Sequence, residues 1–340
     1  MITAREDLGG VEQLTDDRER VVHALVSHMH ETLGDISGFL SETSEYVLSA
    51  PGKLLRPLLL LDACRAVGGD PAAVFPAAVG TEYGHIASLI HDDIMDGDEK
   101  RRGQDTLHVK YSLPTALLTG DYLIFQTYLS YTECAANGVP AERILRAIQM
   151  LSVTCIEMCR GQALEEEVVG NLDISEDIYH ELIRLKTASF CRSAAGVGAC
   201  LGGGDEDALQ ALSNYGTNLG LAFQIMDDVL CYDGTASLGK PHTSDVRNRR
   251  VTLPIIYALQ AGGPQARDEI ASIFSATDLS EEEAHARLVH VLVQTRAIDR
   301  ARAVAYRYTK RAKQDLSRLP ASEARTRLQA LADIFLTRNH

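Results

Sequence analysis

PAAVGTEYGHIASLIHDDIMD, residues 76–96, is the stretch that decides the fold. It is apolar and dotted with small residues: Ala77, Ala78, Gly80, Gly84, Ala87 and Ser88. It reads as one long helix. On that helix Asp92 and Asp96 lie one turn apart and share a face, while Asp93 points about 100° away. Carboxylates held by an apolar helix bind hard cations such as Mg2+, which prefer oxygen ligands and are usually shared with substrate phosphates. Asp92 and Asp96 are the candidate ligand pair, and Asp93 is a supporting group. The competing reading is a helix end with solvated acids, which the helix dipole disfavours.

The same helical texture continues outward in both directions. Breakers fall at Pro51-Gly52, Gly68 to Pro71, Gly97, Ser112 to Pro114, Asn137 to Pro140, Gly202 to Gly204, Gly239 to Pro241 and Gly262 to Pro264. Between them lie segments rich in Ala, Leu, Ile and Glu, suited to long helices. No alternating β-branched stretch with hairpin turns is present, so strands are not expected. Ser280-Glu281-Glu282-Glu283 reads as a capping box that opens a late helix. The expectation is one all-α domain over residues 1–340, a helical bundle. Residues 1–20 are read as a loosely packed or disordered N-terminus.

A second acidic pair, Asp227-Asp228, ends the apolar run that begins at Gly220. Position 231, one turn after Asp227, is a cysteine, a soft ligand poorly suited to Mg2+. Basic residues stand near the breaks: Lys53 and Arg56, three apart and read as sharing a helix face; Arg101 and Arg102 after the first cluster; Lys186 with Thr187; and Lys240. Any one alone is best read as a solvated charge. Together with the acids they suggest metal ions and basic side chains gripping a diphosphate.

Composition agrees. The net charge of −14, from 33 basic and 47 acidic residues, argues against nucleic-acid binding. The 45% apolar content supplies a large core. Seven cysteines are scattered and odd in number, as buried free thiols in a reducing cytosol would be. The first twenty residues lack the apolar core of a signal peptide, and no apolar run reaches the length of a membrane span. A soluble, cytoplasmic protein without integral membrane association is expected.

In order, Gly52-Lys53-x-x-Arg56-Pro57, His85, Leu89 to Asp96, Arg101-Arg102-Gly103, Gly120-Asp121, Lys186-Thr187, Phe223-Gln224-x-x-Asp227-Asp228, Gly239-Lys240-Pro241, Asp245 and Thr252-Leu253-Pro254 resemble the trans-isoprenyl diphosphate synthases, the polyprenyl synthetase family. The resemblance spans about Pro51 to Leu259 and implies an all-α bundle around a deep cavity, generally a homodimer. It implies Mg2+-dependent condensation of isopentenyl diphosphate with an allylic diphosphate, with three ions when substrate is bound. It gives Asp92, Asp96 and Asp227 to magnesium, with Asp93 and Asp228 beside them. Arg101, Lys186, Thr187, Gln224 and Lys240 would hold the allylic substrate, and Lys53, Arg56, His85 and Arg102 isopentenyl diphosphate. Of these, Asp92, Asp96, Arg101, Lys186, Asp227 and Lys240 would form the catalytic set.

This chain departs from the family pattern at Cys231, where an aspartate is usual, and at Ser244, where a glycine is usual. Chain length is expected to be set along the helix that bears Asp92. Ala87 and Ser88 are small and leave no floor one turn down, Gly84 and Gly80 continue an open face, and Tyr83 and Phe125 are candidate caps. A product of C20 or longer follows. Two other functions compete: a terpene cyclase-like enzyme that does not elongate, and a regulatory subunit of a heteromeric synthase. Lys53, Arg56, His85 and Arg102 argue against the first, and the complete first motif argues against the second.

Overall fold

The structure, a computed structural model, describes residues 19–24, 27, 38–50, 52–233 and 243–336. Most of the expected loose N-terminus, and Gly239-Lys240-Pro241, lie outside the described residues. Fourteen α-helices have their full extent among the described residues, and residues 19–24 are helical as well. The first five are α1 (Phe39–Leu48), α2 (Leu55–Ala66), α3 (Phe75–Asp96), α4 (Leu107–Lys110) and α5 (Leu113–Glu133). Then come α6 (Ala141–Val168), α7 (Glu176–Ile183), α8 (Ser189–Gly202), α9 (Glu206–Leu230) and α10 (Ser244–Arg247). The last four are α11 (Leu253–Ser275), α12 (Glu281–Gln294), α13 (Ala297–Asp315) and α14 (Glu323–Leu336). No helix among the described residues is long and apolar enough to cross a membrane.

The stop and start signals act as the sequence predicts. Ser280 Oγ accepts the Glu283 N–H at 3.2 Å, and Glu283 Oε2 accepts the Ser280 N–H at 3.1 Å, which completes the capping box of α12. Helix α11 is broken at Gly263, whose φ of 60° is followed by Pro264. One feature among the described residues is not helical. Lys100–Arg101 (β1) pairs antiparallel with Gln104–Asp105 (β2). Arg102 and Gly103 make the turn with φ of 52° and 79°, a twist that suits two-residue hairpins. The sequence lacks the Asn-Gly or Asp-Gly signature of such a turn, so the hairpin was not legible.

The chain groups into two compact units. The first comprises residues 1–153, 191–216 and 313–331. Its centre is the antiparallel pairing of α3 with α5. A Cβ added at Gly80 would sit 2.8 Å from Ser130 Cβ and 3.0 Å from the Thr127 carbonyl oxygen. The helices touch there at backbone distance. The face read as open at Gly80 is therefore closed by α5, because glycine removes the side chain that would hold the helices apart. The second unit comprises residues 154–190, 217–312 and 332–340. Its core gathers Tyr179, Leu182 and Ile183 of α7, Ile225 and Val229 of α9, Ile255 and Ile256 of α11, and Leu288 and Leu292 of α12.

Candidate active site

In the first unit, α3 delivers the first acidic cluster at its C-terminal turn. Asp92 is partly exposed, and Asp93 and Asp96 are buried. The hairpin then returns Arg101 to the cluster. Its Nε donates to Asp93 Oδ1 at 2.5 Å, and its Nη2 lies 3.9 Å from both Asp92 Oδ2 and Asp98 Oδ2. A cation placed there offsets the repulsion between acids and helix dipole. Burial pushes the Asp93 carboxyl up to about 7, against the opposing pull of Arg101. The hairpin is anchored by Thr106, whose Oγ1 donates to the Asp98 carbonyl at 2.8 Å.

The basic group of this unit is assembled differently from the sequence reading. Leu54, at φ 53°, is the N-cap of α2, so Lys53 lies outside the helix and does not share a helical face with Arg56. The reason is Pro57. Extending the helix backward would require a Pro57 N–H to bond the Lys53 carbonyl, and proline has none. The ladder starts with Leu58 N–H to the Leu54 carbonyl at 3.2 Å. A buried, non-glycine residue held in the left-handed region stores strain of the kind that collects at functional sites. Arg56 Nη1 lies 3.2 Å from His85 Nε2, and Arg102 Nη1 donates to the Ala50 carbonyl at 2.7 Å.

In the second unit, Lys186 and Thr187 occupy a π-helical turn, Arg184–Ala188, between α7 and α8. They were read as marking a break, but the chain stays helical through them. Such turns are often found at functional sites. Helix α6 approaches at Gly161, where an added Cβ would lie 2.5 Å from the Lys186 nitrogen. Lys186 Nζ donates to Glu165 Oε2 at 2.5 Å, and Arg250 Nη2 donates to the same oxygen at 3.2 Å.

A chain of bonds links the remaining residues of this unit. Thr187 Oγ1 donates to Gln224 Oε1 at 2.8 Å, Gln224 Nε2 donates to Asp228 Oδ1 at 2.8 Å, and Tyr179 O–H donates to Asp228 Oδ2 at 2.6 Å. Asp228 is buried, and burial, then the nearby Asp245 charge, push its carboxyl up. Both its oxygens accept internal donors. Asp227, one residue earlier and partly exposed, is the outward member of the pair.

Sequence reasoning missed Glu165, Arg250 and Tyr179. They are single residues inside helices or loops, with no motif to mark them; their roles come from what lies opposite. Cys231, the first residue beyond α9, is 5% exposed and belongs to the apolar core of the second unit. Its carbonyl faces His285 Nε2 at 2.8 Å. Ser244 is buried at the first turn of α10. Phe125, a candidate cap, is 71% exposed on α5 and does not stand in the interior of its unit. Tyr83 is buried, with Tyr122 and Glu133 of α5 acting on its hydroxyl. Ala87 is buried, and Gly84 and Ser88 are partly so.

A profile of the polyprenyl synthetase family matches residues 37–292. The short chain isoprenyl diphosphate synthase of Methanothermobacter thermautotrophicus is 37% identical over 314 residues, which is 92% of this chain and 94% of that protein. The crystal structure of geranylgeranyl pyrophosphate synthetase from Pyrococcus horikoshii matches with a TM-score of 0.87 and 31% identity, covering 96% of this chain and 99% of that one. The polyprenyl synthase of Caulobacter crescentus, solved with calcium and isoprenyl diphosphate, matches with a TM-score of 0.87 and 29% identity, covering 97% and 98%.

Proposed function

Because the chain belongs to the polyprenyl synthetase family, we propose that Asp92, Asp96 and Asp227, with Asp93 and Asp228 beside them, are the magnesium group of a single prenyltransferase domain, residues 1–340. The reaction is prenyl diphosphate chain elongation. Isopentenyl diphosphate is joined head to tail to an allylic diphosphate, and diphosphate is released. The observation that carries the assignment is the Asp92–Asp96 face at the end of α3, with Arg101 returned to it by the hairpin.

The donors fit the ion. They are carboxylate oxygens, and among the described residues no three His, Cys, Asp or Glu side chains could hold a metal by themselves. Mg2+ is typically held by one or two carboxylates plus substrate phosphates rather than by an all-protein cage. Three ions with substrate bound is the number that family resemblance suggests. Magnesium, when bound, neutralises the diphosphate so that it can leave. Arg101, Lys186, Thr187, Gln224 and Lys240 hold the allylic diphosphate; Lys53, Arg56, His85 and Arg102 hold the isopentenyl one. Lys186 rests on Glu165, and Arg101 on Asp93. Each exchanges a carboxylate for phosphate when substrate binds, at little cost in charge pairing. The allylic cation is attacked by the double bond of isopentenyl diphosphate, and loss of a proton completes the condensation. No side-chain nucleophile is needed.

The test is incubation with labelled isopentenyl diphosphate, C5 to C20 allylic diphosphates and Mg2+, with chromatography of the dephosphorylated products. Absence of any elongated product sinks the reading. The division of the pocket has its own test. Arg56→Ala raises the KM for isopentenyl diphosphate, and Lys186→Ala raises that for the allylic partner. Each change is roughly tenfold or more, since a hydrogen bond to a charged group is worth about 1.5–3 kcal/mol. Equal effects of both variants on both substrates would overturn the division.

We place the product at C20 or longer. Small residues at Ala87 and Ser88 support this, as does the similarity to a geranylgeranyl synthetase. Ala87→Phe shortens the main product, because a ring there blocks a chain that descends about 5 Å, one helical turn, below the metal group. An unchanged product pattern with activity retained shows that the chain does not pass Ala87.

The protein is further proposed to be a cytoplasmic homodimer. Leu118, Phe125 and Leu129 form an exposed apolar stripe on α5, and Leu145 on α6 is also exposed. Apolar patches of this kind mark association surfaces. Sedimentation equilibrium measures the state directly, and a monomer at micromolar concentration rejects it.

A further inference from the structure

Glu82 lies on α3, buried at 1% exposure, in the same unit as the basic group Lys53, Arg56, His85 and Arg102. No hydrogen-bond donor among the described residues reaches either of its carboxylate oxygens. A buried carboxylate left like this is costly unless it has a partner or loses its charge. The charged groups that act on it are Arg56, from the first turn of α2, and Arg102, from the hairpin turn. His85, three residues along the same helix, faces Arg56. Three elements thus bring two guanidinium groups toward one anion without a direct bond to it.

We propose that Glu82 is a positioning residue of the isopentenyl diphosphate site: an internal anion that offsets Arg56 and Arg102 in the empty site and takes a proton from solvent when substrate brings its own negative charge. This rests on the assignment of Arg56 and Arg102 to that substrate. Before substrate binds, the one carboxylate offsets part of the charge of the two arginines and leaves the site net positive, as an incoming anion requires. When a diphosphate arrives, an ionised Glu82 becomes a like charge in a dry environment, and protonation removes the repulsion. The neutral acid then supplies the donor that the ionised form lacked.

The sign follows from linkage. Burial raises the Glu82 carboxyl, Arg56 and Arg102 pull it down, and the balance is pushed up to about 7. A neighbouring diphosphate raises it further. Between the free-state and bound-state values the group is ionised before binding and protonated after it, so binding takes up a proton. The Glu82 contribution to isopentenyl diphosphate affinity therefore falls as pH rises through that range, and is flat below it.

Isothermal titration of isopentenyl diphosphate into the Mg2+-loaded full chain at pH 8, in two buffers of different ionisation enthalpy, reads the proton count. The wild type takes up close to one proton more per site than Glu82→Gln. The KM for isopentenyl diphosphate rises with pH in the wild type, and the slope is lost in the variant. The KM for the allylic substrate has the same pH dependence in both. Equal proton counts in the two proteins overturn the proposal. If Glu82→Gln does not fold, the wild type still decides: no proton uptake at pH 8 overturns it. Arg56→Ala separates this from the site assignment. If that variant binds isopentenyl diphosphate normally, the assignment fails; if it loses binding while the wild type takes up no proton, only the role of Glu82 fails.

Discussion

Asp92→Ala or Asp96→Ala lowers turnover by about 10²–10³-fold or more, the scale seen when one preorganised group that stabilises developing transition-state charge is removed. The leaving diphosphate carries most of the negative charge that develops, and under the proposed assignment each aspartate holds cations against it. The variants should nonetheless fold. Both acids stand in the last turn of α3, where negative charge opposes the helix dipole, so Asp92→Ala relieves a small strain of about 0.3–1 kcal/mol. Activity and stability therefore move in different directions for Asp92. Steady-state kinetics with a Mg2+ titration, alongside thermal melting, separates the two. Near-normal turnover in either variant removes the aspartate from the metal group. Asp93→Ala behaves differently, because Asp93 is bonded to Arg101. Its loss frees Arg101 and acts chiefly through the allylic substrate.

Arg327→Ala destabilises the first unit by about 3–5 kcal/mol, the cost of leaving a buried charge without its partner. Arg327 of α14 donates from Nε to Asp62 Oδ1 of α2 at 2.8 Å, and Arg65 Nη1 donates to the same oxygen at 2.7 Å. Asp62 is fully buried and Arg327 is 2% exposed. Burial already pushes the Asp62 carboxyl up, and Arg327 is the largest force holding it down. Removing Arg327 leaves Arg65, a partly exposed neighbour in the same helix, as the remaining partner. The pair joins residues 265 apart in sequence, so its loss also loosens the closure of α14 onto α2. Urea unfolding of Arg327→Ala beside the double variant Asp62→Leu/Arg327→Met tests this. The double variant recovers much of the stability, because two apolar side chains of similar size replace the ion pair without an orphaned charge. An unshifted midpoint in Arg327→Ala shows that the pair contributes nothing.

Local signals carried much of the fold. The run before Asp96 specified α3 to within a residue of its start, the Ser280 capping box opened α12, and Gly263-Pro264 broke α11 where the breakers stood. These features depend on neighbours within one or two turns, so a single sequence contains their cause. The division of the first acidic cluster was legible for the same reason. Helical phase separates Asp93 from Asp92 and Asp96, and Asp93 indeed turns to Arg101. Phase alone could not show that Asp228 is fully engaged by Tyr179 and Gln224, because one of those donors lies 49 residues away.

The sequence by itself determined that this chain is helical and that its two acidic clusters stand at the ends of apolar helices. Hydrophobic period, proline and glycine positions and charge spacing are properties of short segments. Only the tertiary structure decided which partner each charged group meets. Lys186 rests on Glu165, Arg101 on Asp93, and Glu82 lies under the charges of Arg56 and Arg102 with no hydrogen-bond partner among the described residues. It also decided that Gly80 is a helix contact and that Phe125 faces outward. The reason is that burial and pairing depend on groups brought together across long stretches of chain. The free energy of a buried charge is set by those groups, and spacing along the sequence does not specify them.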